Sequence, residues 1–292
     1  MKYFGEVFVG WKSLVQSAKL NGLPGDILTL AEDAPTRFHH TKLLWEAADA
    51  LVRMRRFKAA RSVLEELLLI NPKHRRAQAQ LDEVLAGWRE ASSKKVKGSE
   101  PRGGKVIVFS GHMIDLPGRG EERFPQSKEP AVRAAIERQL DAWKVCAKDL
   151  AICGGARGGD ILFAEACLAR GAEVWLFLPL AEPEFLEESV RGVNEGDWEE
   201  RFYALRGHER VKVFSQPERL KSPPKGTSAF ARNNVWMINT ARVEADDPAN
   251  LYALLVWDER PTGDGAGGTS DFASRVRRLG GRLAKPINPT QL

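Results

Sequence analysis

Residues 153–160 read Cys-Gly-Gly-Ala-Arg-Gly-Gly-Asp and stand between an apolar strand-like run, Asp149–Cys153, and a helix-like run, Ile161–Arg170. A glycine-rich turn of this kind joins a parallel strand to a helix. It lets main-chain N–H groups and the helix dipole approach an anion. The turn therefore commits this part of the chain to βα units and points to a phosphate-bearing ligand. Glycines alone also fit a tight connection with no ligand. Arg157 inside the turn weighs towards the anion, because its guanidinium is a planar fork of donors suited to phosphate. Asp160 at the helix start fits either a cap or an acceptor for a ribose hydroxyl.

Apolar periodicity extends the βα pattern over the rest of the chain. Strands are expected at Lys105–Phe109, Asp149–Cys153, Glu173–Pro179, Val211–Phe214, Leu251–Asp258 and Arg282–Lys285. Helices are expected at Pro130–Ala147, Gly158–Arg170, Trp198–Leu205, Ala229–Ala241 and Ser270–Leu279. This alternation predicts an α/β, Rossmann-like, mostly parallel sheet with helices on both faces and ligands beyond the carboxyl ends of the strands. The polar and glycine-rich clusters all follow strand ends: Ser110-Gly111-His112 with Asp115, the 153–160 turn, Asp258, and Gly263–Thr269.

The first third differs. From Phe4 to about Ala91 the apolar residues fall at helical spacing, with breaks at Asn21–Pro24 and Ala34–Pro35. Leu44, Ala47, Ala48 and Leu51 form one stripe, and Phe57, Ala60, Leu64 and Leu67 form the next before Pro72. The small residues Ala48 and Ala60 allow two antiparallel helices to pack closely. Ser92–Gly104 has linker composition, which places a helical domain at 1–98 and an α/β domain at 104–292.

Charge narrows the function classes. The formal net charge of +5 lies wholly in residues 1–100, with 17 Lys and Arg against 12 Asp and Glu; the remainder balances at 27 each. A neutral α/β domain makes a nucleic acid partner unlikely by the usual criterion of a basic face. The 3 cysteines include no CxxC pair, and the 5 histidines show no ligand spacing with them, so neither a metal nor a cofactor is expected. No run suits a membrane span and the N-terminus lacks a signal-peptide pattern, so a cytoplasmic location is expected.

Taken in order, the clusters resemble the SLOG superfamily, which joins DprA-like proteins, LOG phosphoribohydrolases and YspA-like Rossmann proteins. The matching residues are Gly154-Gly155-Ala156-Arg157-Gly158-Gly159-Asp160, Glu165-Ala166, Ala231-Arg232-Asn233-Asn234, Val256-Trp257-Asp258 and Gly268-Thr269-Ser270-Asp271-Phe272. The 44–72 cadence resembles a tetratricopeptide repeat, a partner-binding module, with Leu44 and Ala48 replacing the usual aromatic and glycine. The resemblance implies that Gly154, Gly155, Ala156, Arg157 and Gly158 cradle phosphate, that Arg232 and Asn233 reach the same pocket, and that Gly267, Gly268 and Thr269 hold a second phosphate or a ribose. Ser110, Gly111 and His112 would close the remaining side, and Asp258 at its strand end would bind a ribose. Structural alternatives stand beside these roles: His112 orienting a loop, Asp115 making a turn before Pro117, Asn233 bonding a neighbouring strand, and Asp258 anchoring the loop that follows it.

The function these residues imply is sensing of a nucleotide or nucleotide-derived signal, relayed to a protein partner through the helical domain, by analogy in bacterial signalling or defence. LOG-type hydrolases carry a glutamate where this chain has Phe272, and Asp271 projects about 100° away on the helix. Asp271 and Glu165 are the weak catalytic candidates for the alternative, a nucleotide N-glycosidase. A DprA-like single-strand DNA binder comes third, because the aromatics Trp175, Phe177 and Trp257 fall inside apolar runs suited to core packing. The related families often form homo-oligomers.

Overall fold

The computed structural model describes residues 16, 24–34, 36–93, 104–260 and 269–292. The chain divides into two compact units, one made of 1–101 with Arg242–Asp247, the other of Arg102–Ala241 with Pro248–Leu292.

The first unit is helical, with α1 (Pro24–Glu32), α2 (Arg37–Arg53), α3 (Phe57–Ile70) and α4 (Arg75–Ser93). Its core is the predicted pair of stripes: Leu44, Ala47, Ala48 and Leu51 of α2 and Ala60, Leu64 and Leu67 of α3 are buried, while Phe57 is only partly so. Thr36 caps α2 by accepting from the His39 N–H. The start of α3 is capped differently, because Arg56 at its N-cap supplies no side-chain acceptor and Asp246 accepts from the Ala59 N–H at 3.0 Å. Arg242 donates to Glu66 at 2.9 Å and Lys58 pairs with Asp247. Residues 242–247 thus complete the helical unit from far along the chain, beyond the span 1–98 expected of it.

The second unit is a six-stranded parallel sheet in the order β4-β3-β2-β1-β5-β6. The strands are β1 (Val106–Gly111), β2 (Leu150–Cys153), β3 (Glu173–Leu178), β4 (Val211–Ser215), β5 (Leu251–Val256) and β6 (Arg282–Leu283). Between them run α5 (Glu129–Ala142), α6 (Gly159–Ala169), α7 (Glu182–Phe185), α8 (Trp198–Arg206), α9 (Gln216–Arg219), α10 (Ala229–Ala245) and α11 (Thr269–Arg278). The Rossmann-like α/β fold expected from the alternation is the fold observed.

Strand alternation sorts the core into two faces. Ile107, Phe109, Ala151, Cys153, Val174 and Leu176 share one cluster with Val132, Ile136 and Leu140 of α5 and with α6 and α8. Residues of opposite parity, such as Val108, Ile152 and Phe177, are also buried. Phe177 meets Trp236 of α10 edge to face at 4.5 Å, so helices cover both faces. The chain steps outward from β1 to β4 and then returns to place β5 on the other side of β1. The crevice beyond the carboxyl ends of β1 and its neighbours is therefore the switch point where this topology accommodates ligands.

The acidic stretch 181–207 packs on the core through Phe185, Leu186, Val190, Trp198 and Phe202. Its acids pair with arginines: Glu199 with Arg191 and Glu182 with Arg206.

One backbone approach fixes how β1 meets α6. Gly158, at φ +89°, lies so close to the loop after β1 that an added Cβ would fall 2.6 Å from the Ile114 nitrogen. Gly158→Ala is expected to destabilise the protein by on the order of 2–4 kcal/mol through strain and overlap together, read as a lower midpoint in urea with unchanged slope.

Candidate functional site

A cleft of about 650 Å³ opens at the carboxyl edge of the sheet, lined from the β1 loop, the 153–160 turn, the segment 179–189, α10 and Thr269. Of the residues singled out in the sequence, Ser110, Gly111, His112, Asp115, Gly154, Ala156, Arg157, Asp160, Asn233 and Thr269 line it. Gly155, Gly158, Arg232 and Asp258 do not appear in its lining, nor do Glu165 and Asp271. Gly267 and Gly268 lie outside the described residues.

The glycine turn is built differently from an open phosphate cradle. The Gly154 N–H donates to Asp160 Oδ1 at 3.0 Å, and the Ala156 N–H also bonds the Asp160 carboxyl. The Arg157 N–H donates to the Ser189 carbonyl at 2.9 Å, and the Gly159 N–H to the His112 carbonyl at 3.2 Å. The chain's own carboxylate therefore occupies the position an anion would take. Asp160 is not the helix cap either, since Gly158 holds the N-cap position. Burial raises the Asp160 carboxyl from the ordinary 3.8 to about 7, against the opposing pull of the Gly154 and Ala156 amides.

Arg157 is a clamp. Its Nε donates to the Ile114 carbonyl at 3.1 Å and Nη1 to the Arg191 carbonyl at 3.0 Å, so it ties the β1 loop to the segment after Ser189. Arg232 performs a similar task away from the cleft, bonding Gln216 Oε1 and the carbonyls of Leu220 and Lys221. The expectation that it reaches the pocket is not met. One residue of helix turns a side chain by about 100°, which sends Arg232 to that segment while Asn233 faces the cleft.

At the switch point, His112 Nε2 lies 3.1 Å from Asp258 Oδ1, 3.1 Å from Arg123 Nη2 and 3.3 Å from the Asp258 nitrogen. Arg123 Nε donates to Asp258 Oδ2 at 3.3 Å. Burial alone would raise the Asp258 carboxyl, but His112, the Arg260 amide and Arg123 hold it below the usual range. Asp258 is thus an anchor for its own loop, and His112 orients the β1 loop while also lining the cleft. Asp115 makes a turn, as one reading had it: Oδ2 accepts the N–H groups of Arg123 and Phe124, each at 2.8 Å.

The two acids considered for catalysis are held elsewhere. Burial pushes the Glu165 carboxyl up, but Arg201, at 2.7 and 2.8 Å, and Arg133, at 2.9 Å, hold it below its ordinary value. Asp271 accepts from Arg275 Nε at 2.8 Å on its own helix. Burial, reinforced by the charge of Asp160, pushes the Cys153 thiol well up, which leaves it protonated and a poor nucleophile.

Met113, Leu116, Ser189, Phe230 and Met237 line the cleft without having had a part in the expectation. Phe230, Asn233, Asn234 and Met237 form one stripe of α10 facing the cleft, and the i, i+3, i+4, i+7 spacing from Phe230 identifies them once Asn233 is placed. Met113, Leu116 and Phe230 are 37%, 49% and 46% exposed at its rim. Ser189 sits on a π-helical turn, Leu186–Val190, a kind of irregularity common at functional sites. Asn233 Nδ2 donates to the Phe177 carbonyl at 2.7 Å, the strand bond that had been its alternative. Asn233 Oδ1 and Ser189 Oγ are nevertheless buried without a hydrogen-bond partner.

No protein-family model and no curated protein matches the chain. Among the described residues no group of His, Cys, Asp or Glu has the makings of a metal site, and no helix is long and apolar enough to cross a membrane.

The Asp160 arrangement has a definite pH signature. Because its folded-state value is raised, the folded protein keeps a proton that the unfolded chain releases above about pH 4, so stability falls as pH rises towards about 7 and then levels. Asp160→Asn is expected to remove that slope, worth on the order of a few kcal/mol over the interval. Parallel urea titrations of the two proteins at pH 4.5 and pH 7.5 check it, and equal slopes for the two would refute it.

Proposed function

We propose that the α/β unit binds a nucleotide or nucleotide-derived ligand in this cleft, and acts as a sensor whose occupancy the helical unit passes to a protein partner. The observation that carries the reading is the cleft itself: about 650 Å³ at the switch point, combining an apolar rim with the orphaned polar atoms of Asn233 and Ser189. That volume suits a nucleotide-sized ligand, and buried polar atoms lacking partners are costly unless something completes them. The SLOG resemblance supports the ligand class, and the tetratricopeptide-like cadence supports the partner; bacterial signalling or defence is the setting by analogy alone.

The charges suggest an orientation. Asp160 in the glycine turn repels phosphate and suits ribose hydroxyls, whereas Arg119, on the lining of the opposite loop, suits the phosphate end. Phe230, Met113 and Leu116 offer faces for a base. Sensing is preferred to N-glycoside cleavage because Glu165 and Asp271 are held in ion pairs outside the cleft lining.

Helix α10 fits a relay. It carries the cleft stripe at Phe230–Met237, and its end, from Arg242, belongs to the helical unit.

Thermal denaturation against AMP, ATP, NAD, ADP-ribose and cyclic dinucleotides tests the reading. A ligand at a hundredfold excess over its Kd adds about 2.7 kcal/mol of stability and raises the Tm accordingly. Phe230→Ala is expected to leave the ligand-free Tm unchanged, since the ring is 46% exposed, and to weaken binding about tenfold. No shift with any of these compounds at millimolar concentration removes the proposal.

A further inference from the structure

The helical unit has an exposed apolar patch at the end where α2 begins and α3 finishes. The Arg37 guanidinium donates to the Ile70 carbonyl, so the residues beside them in sequence, Phe38 and Leu69, stand at the same end of the helical pair. They are 72% and 83% exposed, above every other large apolar side chain among the described residues. The end is held in shape: Trp45 stacks on His74 at 5.6 Å, and His74 Nδ1 accepts the Ala77 N–H at 3.1 Å, closing the start of α4.

Charge at this end has one dominant sign. The span from Leu67 to Leu81 holds Lys73, Arg75 and Arg76, all exposed, and no acid. Arg37 adds a fourth cation. Glu32 and Asp33, the acids near the start of α2, already have interactions of their own. Neither α2 nor α4 has an acid in its first turn, where acids are normally favoured by the helix dipole. An arrangement that places cations there departs from local preference, and such departures gather at functional sites.

We infer that this end of the helical unit docks an acidic segment of a partner protein, whose apolar side chains cover Phe38 and Leu69 while its carboxylates meet Arg37, Lys73, Arg75 and Arg76. The patch suits a peptide better than a lipid surface, because the apolar stripes of α2 and α3 face the bundle core and leave no continuous face to enter a membrane. It suits a peptide better than nucleic acid, because bare Leu69 gains nothing from a phosphate backbone. The inference deepens the reading of the helical unit as a partner-binding module and is independent of the nucleotide cleft.

Fluorescence anisotropy of the full chain tests it, with a labelled synthetic peptide of aspartate and glutamate bearing two leucines as probe. A peptide with serines for the leucines, labelled oligo-dT, and phosphatidylserine vesicles serve as comparisons. Saturable binding of the leucine peptide is expected, weakened at least tenfold by Phe38→Ser with Leu69→Ser, by Arg75→Glu with Arg76→Glu, and by the serine peptide. These exposed substitutions are expected to leave the Tm and any nucleotide-induced shift unchanged, so failure here and failure of the cleft are told apart. Absent binding, binding indifferent to either pair of substitutions, or tighter binding of oligo-dT or vesicles would each overturn the inference.

Discussion

The approach of the glycine turn to the loop after β1 governs everything built at the carboxyl edge of the sheet. Gly158 and Gly159 let main chain pass against main chain, and the Gly159 N–H donates to the His112 carbonyl. Arg157 then crosses from that turn to Ile114 and Arg191, and its own amide reaches Ser189. Three separate segments are locked by one residue and its neighbours. A side chain at Gly158 would push them apart, and with them the walls of the cleft. The Arg157 guanidinium is buried in this role, so losing it leaves main-chain carbonyls without donors, a cost of stability before any cost of binding.

The same economy explains where the acids went. An Asp160 carboxylate in the turn satisfies amides that would otherwise be orphaned beside an apolar core, and its partial protonation near neutrality follows from that burial. Asp258 answers His112 and Arg123 across the switch point and so fixes the loops after β1 and β5 together. Acids that looked like reagents in the sequence are structural acceptors, and Asp115 Oδ1, buried in the cleft lining without a hydrogen bond, faces Arg119 Nε at 3.4 Å; the uncharged lining groups buried without partners are an amide oxygen and a hydroxyl, Asn233 Oδ1 and Ser189 Oγ. Such groups recognise a ligand by hydrogen bonding and have no capacity to exchange a proton near neutral pH.

The fold was legible because each element carried its own period. Strands β1 to β5 are apolar runs bounded by turn residues, and the stripes of α2 and α3 repeat at helical spacing, so both units emerge from local patterns. The edge of the sheet at which the cleft opens followed from the same alternation. What escaped depended on relations the linear pattern does not hold. Nothing in Gly154–Asp160 distinguishes amides aimed at a ligand from amides aimed at Asp160, since both need the same glycines. Arg232 and Asn233 look equivalent until the helix assigns them to different directions. Asp246 capping α3 joins residues 187 apart, and no local signal announces it. Ser189 came to the cleft through a π-turn, an irregularity without a sequence signature of its own.

Helix α10 links the two readings. Its 17 residues span about 25 Å at 1.5 Å per residue, with the cleft stripe near the start and Arg242, paired to Glu66, near the end. A ligand can bias the helical unit only through a difference in its affinity for two arrangements of the protein. The stripe supplies the place where that difference arises in the proposed relay, because Asn233 is bonded to the sheet through the Phe177 carbonyl and is at the same time a buried residue of the cleft lining. A ligand that takes up the free Asn233 oxygen acts on the helix directly. One that rests only on the Met113 and Leu116 rim does not. The proposed relay through α10 would therefore call for a hydrogen-bond donor on the ligand at the Asn233 end of the cleft.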